Sequence, residues 1–478
     1  MGDTGSTTPV TQVFARRCLE GRWMHCECVN NTRFVFLNHL DPKSFKRFPT
    51  TLEWARFREY ARRMRRLRGP GDPNFLTPEV FEALQFGAID EPLFPNLKSL
   101  ELWSTVAEFI PFISSFLSSR TTTIYIEFSG YSDFPDAPVT SMVTAIPALC
   151  PNLQKITLRS IPRDPMIVAA VSEFLLTTNR DALRHICVDS PLTEEARQVV
   201  FNLPNLCWLW VVIEGFTPLP TMVLPNLTRI DIEYDHNRGW LQGFRGATFE
   251  KLNSVTFRTT SGPGDFLEEF QSVALTSSVQ NTLSAFCFYT SHSWNPNYSY
   301  LLAFEQLTEL KIEFSCYDGC SSRVDDDVIV ILTQAMPKLE ILWLGEAPCG
   351  TPTGVTFNGL ITLACRCPQL AELRIHFRAN SLVEATTSGE PQSPSKPATI
   401  IPRSNCVLTD LRVGKIPIPE GSALAIALIL LQVFPRILNI GYRNPEWRKV
   451  EETIELFRRI GDHVRHASKR HLLPSDDY

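Results

Sequence analysis

The chain has 478 residues, 46 basic and 51 acidic, for a net charge of −5, so its bulk electrostatics give no case for a nucleic-acid partner. At 44% hydrophobic and 20% charged the composition supports a buried core and excludes a chain disordered throughout. Thirteen cysteines without paired spacing and no charged-then-apolar leader predict a reducing cytoplasmic or nuclear compartment. The longest apolar run, Ala423 to Phe434, is too short to span a bilayer, so no membrane partner is expected.

Residues 1–30 read as a flexible N-terminus and 31–93 as a helical N-terminal segment. Within the latter, Trp54, Phe57, Tyr60, Met64 and Leu67 recur every three or four residues, and residues 54–68 hold seven arginines and one acid. That spacing predicts a docked helix with a solvated basic face, in preference to a nucleic-acid contact or an import signal.

From residue 94 to 445 a pattern L-x-x-[LIVF]-x-[LIVF] recurs. It starts at Leu97, Leu153, Leu183, Leu206, Leu227, Leu252, Leu283, Leu307, Leu339, Leu370 and Leu408, with degenerate copies at Thr121 and Ile437. The period of about 28 residues lies within that of leucine-rich repeats. Three residues before most starts stands an apolar residue or cysteine, among them Phe94, Cys150, Met336 and Cys367, and the next residue is often proline, as at Pro95, Pro151, Pro337 and Pro368. Proline ends the preceding helix and opens the strand. The fold class expected is therefore α/β: a leucine-rich-repeat solenoid, or horseshoe, with a parallel concave sheet and convex helices.

In each motif the leucines point inward and the alternating residues outward. The outward ladder comprises Trp103, Arg159, Trp208, Trp210, Arg229, Asp231, Glu233, Arg258, Tyr289, Glu309, Lys311, Glu313, Trp343, Glu372, Arg374, His376, Asp410 and Arg412. Tryptophan, tyrosine and arginine are frequent interface anchors, so this face is expected to bind a protein target. The alternative is that loops or an insertion cover the rings.

Residues 380–404, rich in Ser, Thr and Pro, read as a flexible insertion carrying a possible phosphorylation site at Ser393. Residues 446–478 read as a capping helix and tail, with Trp447, Val450, Ile454, Phe457, Gly461 and Val464 on one face and charge opposite.

Chemistry-bearing motifs are weak. His25, Cys26 and Cys28, Cys316 with Cys320, and Cys365 with Cys367 lack the second ligand pair of a zinc site, and there is no P-loop, G-x-S-x-G, H-E-x-x-H or G-x-G-x-x-G. No catalytic residue, metal or cofactor is expected, and no enzymatic activity.

The helix–CPNL–x-x-I-x-L organisation, the segment EWARFREYARRMRRL and the following LFPNLKSLELW resemble the F-box/leucine-rich-repeat proteins expanded in basidiomycete fungi. The resemblance covers roughly residues 50–470. It implies a substrate receptor of a Skp–cullin–F-box ubiquitin ligase, monomeric within its complex, with the target on the repeats and all ligase chemistry in other subunits. Residues 1–50 show neither the L-P-x-E start nor the V-C-[RK]-x-W-like end of an F-box. A Skp-type adaptor is thus expected only if an F-box is restored upstream. The rival reading is a leucine-rich-repeat scaffold unconnected to ubiquitin.

Overall fold

The computed structural model describes residues 25–28, 33–34, 51–69, 92–105, 107–128, 136–214, 224–234, 241, 244–245, 247, 249–277, 279–292, 294, 296–314, 324–345, 354–379, 405–414, 416–442 and 444–471. Within them the chain forms two compact units, one of residues 1–233 with 247–251 and one of 234–246 with 252–478.

Unit 1 holds β1 (His25–Cys28), β2 (Arg33–Phe34), β3 (Met64–Arg68), β4 (Ser99–Thr105), β5 (Thr123–Phe128), β6 (Lys155–Arg159), β7 (His185–Pro191), β8 (Trp208–Ile213) and all but the last residue of β9 (Arg229–Tyr234). Strands β3 to β8 pair in chain order, each parallel to the next, and β1 adds antiparallel to β3 and β2. Its helices are α1 (Thr51–Ala61), α2 (Ile110–Ile113), α3 (Asp136–Leu149), α4 (Pro165–Thr177) and α5 (Glu194–Val200).

Unit 2 holds β10 (Ser254–Thr259), β11 (Ala285–Thr290), β12 (Glu309–Phe314), β13 (Ile341–Leu344), β14 (Glu372–Ile375), β15 (Asp410–Gly414) and β16 (Asn439–Tyr442), all parallel and in chain order. Its helices are α6 (Phe266–Thr276), α7 (Asp326–Ala335), α8 (Phe357–Arg366), α9 (Ala423–Val433) and α10 (Glu446–His471). In both units successive helices pack on one another, α3 on α4 and α4 on α5, then α7 on α8 and α9 on α10. The class is α/β with parallel sheets.

Every one of the motif starts lies two residues before a strand, and each first residue, from Leu97 to Ile437, is buried. Just upstream a tight turn does the punctuation. The amide of Leu97 donates to the Phe94 carbonyl, and the same bond joins Leu153 to Cys150, Leu206 to Leu203, Leu339 to Met336 and Leu370 to Cys367. Proline stands at the second turn position in these examples, where its fixed φ suits the turn and its missing N–H costs nothing. Next, the amides of positions +1 and +2 both donate to the +1 carbonyl of the preceding motif, as Gln154 and Lys155 do to Thr122. That shared bond sets a common register for the neighbouring strands.

Helix starts follow local capping chemistry. Asp164, with Pro165 as the first helical residue, accepts from the Met166 amide, and Thr193, Asp325 and Thr356 cap α5, α7 and α8 in the same way. Asp326 then ties α7 to α8 by accepting from the Thr356 amide at 2.8 Å and its hydroxyl at 2.5 Å.

Several expectations need correction. The segment Trp54–Leu67 is not one helix: α1 ends at Ala61, and Met64–Arg68 forms β3, with Leu67 fully buried and in register with Leu100. Helical spacing of the apolar residues is outweighed by pairing with β4. The arginines of β3 are correspondingly engaged on the strand face, Arg68 with Glu101 at 2.7 Å and Arg66 at 3.7 Å. Residues 25–28, placed in a flexible N-terminus, form β1. In α10, Trp447, Val450 and Ile454 are buried as a cap, but the opposite face carries exposed Leu456 and Ile460 among its charges. The insertion 380–404, with Ser393, and Cys316 and Cys320 lie outside the described residues, as do residues 1–24.

Candidate functional site

Strand alternation puts positions +3 and +5 of each motif beneath the helices and +2, +4 and +6 on the opposite face. All eighteen residues of the ladder expected from the sequence lie at those outward positions. In unit 1 the face begins with Trp103, 40% exposed, its ring 4.3 Å from that of Tyr125. Tyr125 donates to Glu127 at 2.9 Å, and burial together with that carboxylate pushes its hydroxyl up to about 12. Arg159 lies over the Trp210 ring at 4.4 Å.

Trp208 is the centre of a denser group. Lys155 lies 5.7 Å and Arg229 5.2 Å from its ring, and the His185 ring meets it edge-on at 6.0 Å. Its indole N–H donates to Asp231 at 2.6 Å, and Arg229 donates to both oxygens of the same carboxylate at 2.7 and 3.0 Å. Glu233 pairs with Arg163 at 2.5 Å, and Arg163 also lies 3.6 Å from Glu214.

In unit 2, Arg258 lies over Tyr289 at 4.4 Å. Further along, three cations surround Trp343: Arg374 at 3.9 Å, Lys311 at 4.1 Å and Arg412 at 5.9 Å from its ring. Each has its own carboxylate, Lys311 with Glu309 at 2.6 Å, Arg374 with Glu313 at 2.9 Å and Arg412 with Glu372 at 3.6 Å. Asp410 accepts from Thr409 and Asn439, which hold its carboxyl below the usual range. His376 is half-buried at the +6 position of the same repeat as Arg374.

Two of the residues expected to be open are not. Asp231 and Arg374 sit at +4, in the middle of three outward positions, and both are buried by the side chains of flanking strands. Trp208, Trp210 and Trp343 are half-buried for the same reason, leaving Trp103, Arg229 and Arg412 as the exposed aromatic and basic members of the expected ladder. The ladder expected from the sequence omits Tyr125, Lys155, His185 and Asp189, although all four stand at outward positions of the same register. Asp189 accepts from the amides of Ser160 and Ile161, the latter at 3.1 Å, and so clamps a turn in which Ser160 adopts φ 53°. Burial raises its carboxyl above the usual range despite those two donors.

Two thiols also stand on this surface. Its thiols, Cys187 and Cys287, are pushed by burial up to about 12 and are protonated at neutral pH, so neither is a ready nucleophile. Among the described residues no group of three or more His, Cys, Asp or Glu side chains is placed to hold a metal, and no helix is long and apolar enough to cross a membrane. No protein-family model matches the chain, and no curated protein matches it.

Proposed function

We propose that the protein is a non-enzymatic binding module that holds a protein target on the outward face of its strands, as a leucine-rich-repeat horseshoe does. The observation that carries this reading is the aromatic and arginine array of that face. Aromatic–cation groups centred on Trp208, Trp210, Tyr289 and Trp343, with the Trp103–Tyr125 pair, occupy one side of the strands, while the other side is spent on the core. Rigid rings held by neighbouring charges lose little conformational freedom on binding and bury much area.

The resemblance to F-box/leucine-rich-repeat proteins extends the proposal to a substrate receptor of a Skp–cullin–F-box ubiquitin ligase, or a derivative without the F-box, acting in the cytoplasm or nucleus as a monomer within its complex. A Skp-type adaptor would bind through an upstream F-box, and no nucleic acid, membrane or cofactor is required. A leucine-rich-repeat scaffold apart from ubiquitin is the second reading.

Affinity capture of the full chain from its native cells, compared with the Trp103→Ala/Arg159→Ala variant, tests both. A reproducible partner lost by the variant is expected. Skp and cullin peptides in that set support the ligase receptor; their absence favours the scaffold. A partner set that the face variant leaves unchanged overturns the binding-face reading.

A further inference from the structure

The turns that open the strands carry opposite charge in the two units. At positions −3 to +2 of the six motifs from Leu97 to Leu227, all in unit 1, stand six basic residues and one acid, Asp181. The same positions of the six motifs from Leu283 to Ile437, all in unit 2, hold two basic residues and five acids. Opposite signs average out along the chain, so its net charge of −5 conceals both.

Backbone hydrogen bonds order the basic turns along one edge of unit 1. The amide of Lys98 donates to Arg65, that of Thr122 to Lys98, that of Gln154 to Thr122 and that of Arg184 to Gln154. Four strand spacings of about 4.8 Å separate Arg65 from Arg184, an edge of about 19 Å. Lys98, Arg120, Arg180 and Arg184 are all exposed, and among the described residues none has a side-chain hydrogen bond or a carboxylate within ion-pair distance. Arg65 donates once, to the Asn96 carbonyl at 3.3 Å. Lys155 and Arg229 do not belong to this set, since both lie over the Trp208 ring and Arg229 is held by Asp231. The carboxylates of the outward face begin at +4. That is three residues beyond the +1 row, or about 10 Å, a Debye length at 0.1 M salt.

The edge offers little besides charge. No exposed aromatic or large aliphatic side chain stands in these positions. The asparagines at −1 are already engaged: Asn96, Asn152, Asn205 and Asn226 each donate a side-chain N–H to a carbonyl of the preceding turn. They are not free to read base edges.

We infer that this edge, from Arg65 through Lys98 and Arg120 to Arg180 and Arg184, binds the phosphate backbone of double-stranded nucleic acid without sequence preference. A duplex carries one negative charge per about 1.7 Å of axis, a density suited to cations that have no apolar contact to assist them. An acidic protein would bring fewer charges and find no apolar centre for an interface. A single strand gains affinity by stacking its bases on aromatic rings, which this edge does not expose. The edge is separate from the proposed target-binding face and does not depend on it.

The test uses the full chain and labelled DNA and RNA duplexes of about 20 base pairs, read by fluorescence anisotropy over a range of salt. Binding of either duplex is expected, with a slope of about −4 in log affinity against log salt. Lys98→Ala/Arg184→Ala should weaken binding about tenfold at low salt and make the slope shallower by about two. Both side chains are exposed, and circular dichroism checks that the variant folds. Lys338→Ala/Arg436→Ala removes the same charge from exposed positions of unit 2 and should leave the slope unchanged. No binding of either duplex, an unchanged slope in Lys98→Ala/Arg184→Ala, an equal loss in both double variants, or tighter binding of single-stranded DNA or oligoglutamate of equal charge overturns the assignment.

Discussion

The indole N–H of Trp208 and the carboxylate of Asp231, on neighbouring motifs, meet at 2.6 Å with Asp231 only 2% exposed. A buried anion is thereby fixed by one neutral donor and by Arg229, and it orients the ring that dominates the outward face of unit 1. Asp231→Ala is expected to lower stability by about 1–3 kcal/mol, because it leaves the indole donor and the guanidinium without their acceptor. Asp231→Asn should recover part of the loss. Urea denaturation of the two variants measures it, and equal stability of Asp231→Ala and wild type would contradict the assignment.

Asp189 clamps the turn after β6 through the Ser160 and Ile161 amides, at the one non-glycine position with positive φ among the described residues. Removing the acceptor leaves strained backbone with unpaired donors. Asp189→Ala is expected to speed amide hydrogen exchange at Ser160 and Ile161, while Asp189→Asn restores one acceptor and part of the protection. Unchanged exchange in the alanine variant would show that the turn holds itself.

His185 has its pKa lowered by burial first and then by Lys155 and Arg184. The folded state therefore binds this proton less readily than the unfolded state, whose imidazole titrates near 6.5. Stability contributed by neutral His185 is present above that range and is lost as pH falls through it. His185→Gln should flatten the decline in urea midpoint between about pH 7.5 and about pH 5, and Arg184→Gln should reduce it. An identical slope in wild type and both variants would mean that His185 does not carry this pH dependence.

Trp447 closes the end of unit 2, fully buried, with its indole N–H on the Ile416 carbonyl at 2.9 Å and its ring 5.8 Å from Phe377. Trp447→Ala is expected to cost about 3–5 kcal/mol. Trp447→Phe keeps most of the packing and loses the hydrogen bond, a net effect of about 1 kcal/mol plus the smaller ring. Hydrogen exchange should place the damage in α9, β16 and α10 first.

Among the described cysteines, Cys150 and Cys367 fill the apolar position before the turn, and burial raises their thiols to about 11 and about 12. Cys365 is exposed one residue from Arg366. Iodoacetamide under native conditions should label Cys365 well before Cys150 or Cys367, as peptide mass spectrometry can establish. Early labelling of Cys150 would mean that the core position opens more readily than its packing implies.

What the sequence alone determined is the strand ladder. Each leucine of a motif is buried by its own repeat and the next, so a local spacing repeated along the chain suffices to place every strand from β4 to β16 and to assign its inward and outward residues. The same register contains Lys155, His185 and Asp189, yet nothing in the spacing of one strand marks them apart from other outward polar residues. Their significance comes from neighbours on adjacent strands. Tertiary structure decided the rest. Met64–Arg68 carries helical spacing, yet it becomes β3 because β4 offers backbone partners and a pocket for Leu67. Asp231 and Arg374 point outward and are buried all the same, since exposure at a middle position depends on the size of side chains from neighbouring strands, some of them dozens of residues away. Alternation along one strand is a property of the local chain; coverage across strands is a property of the assembled sheet.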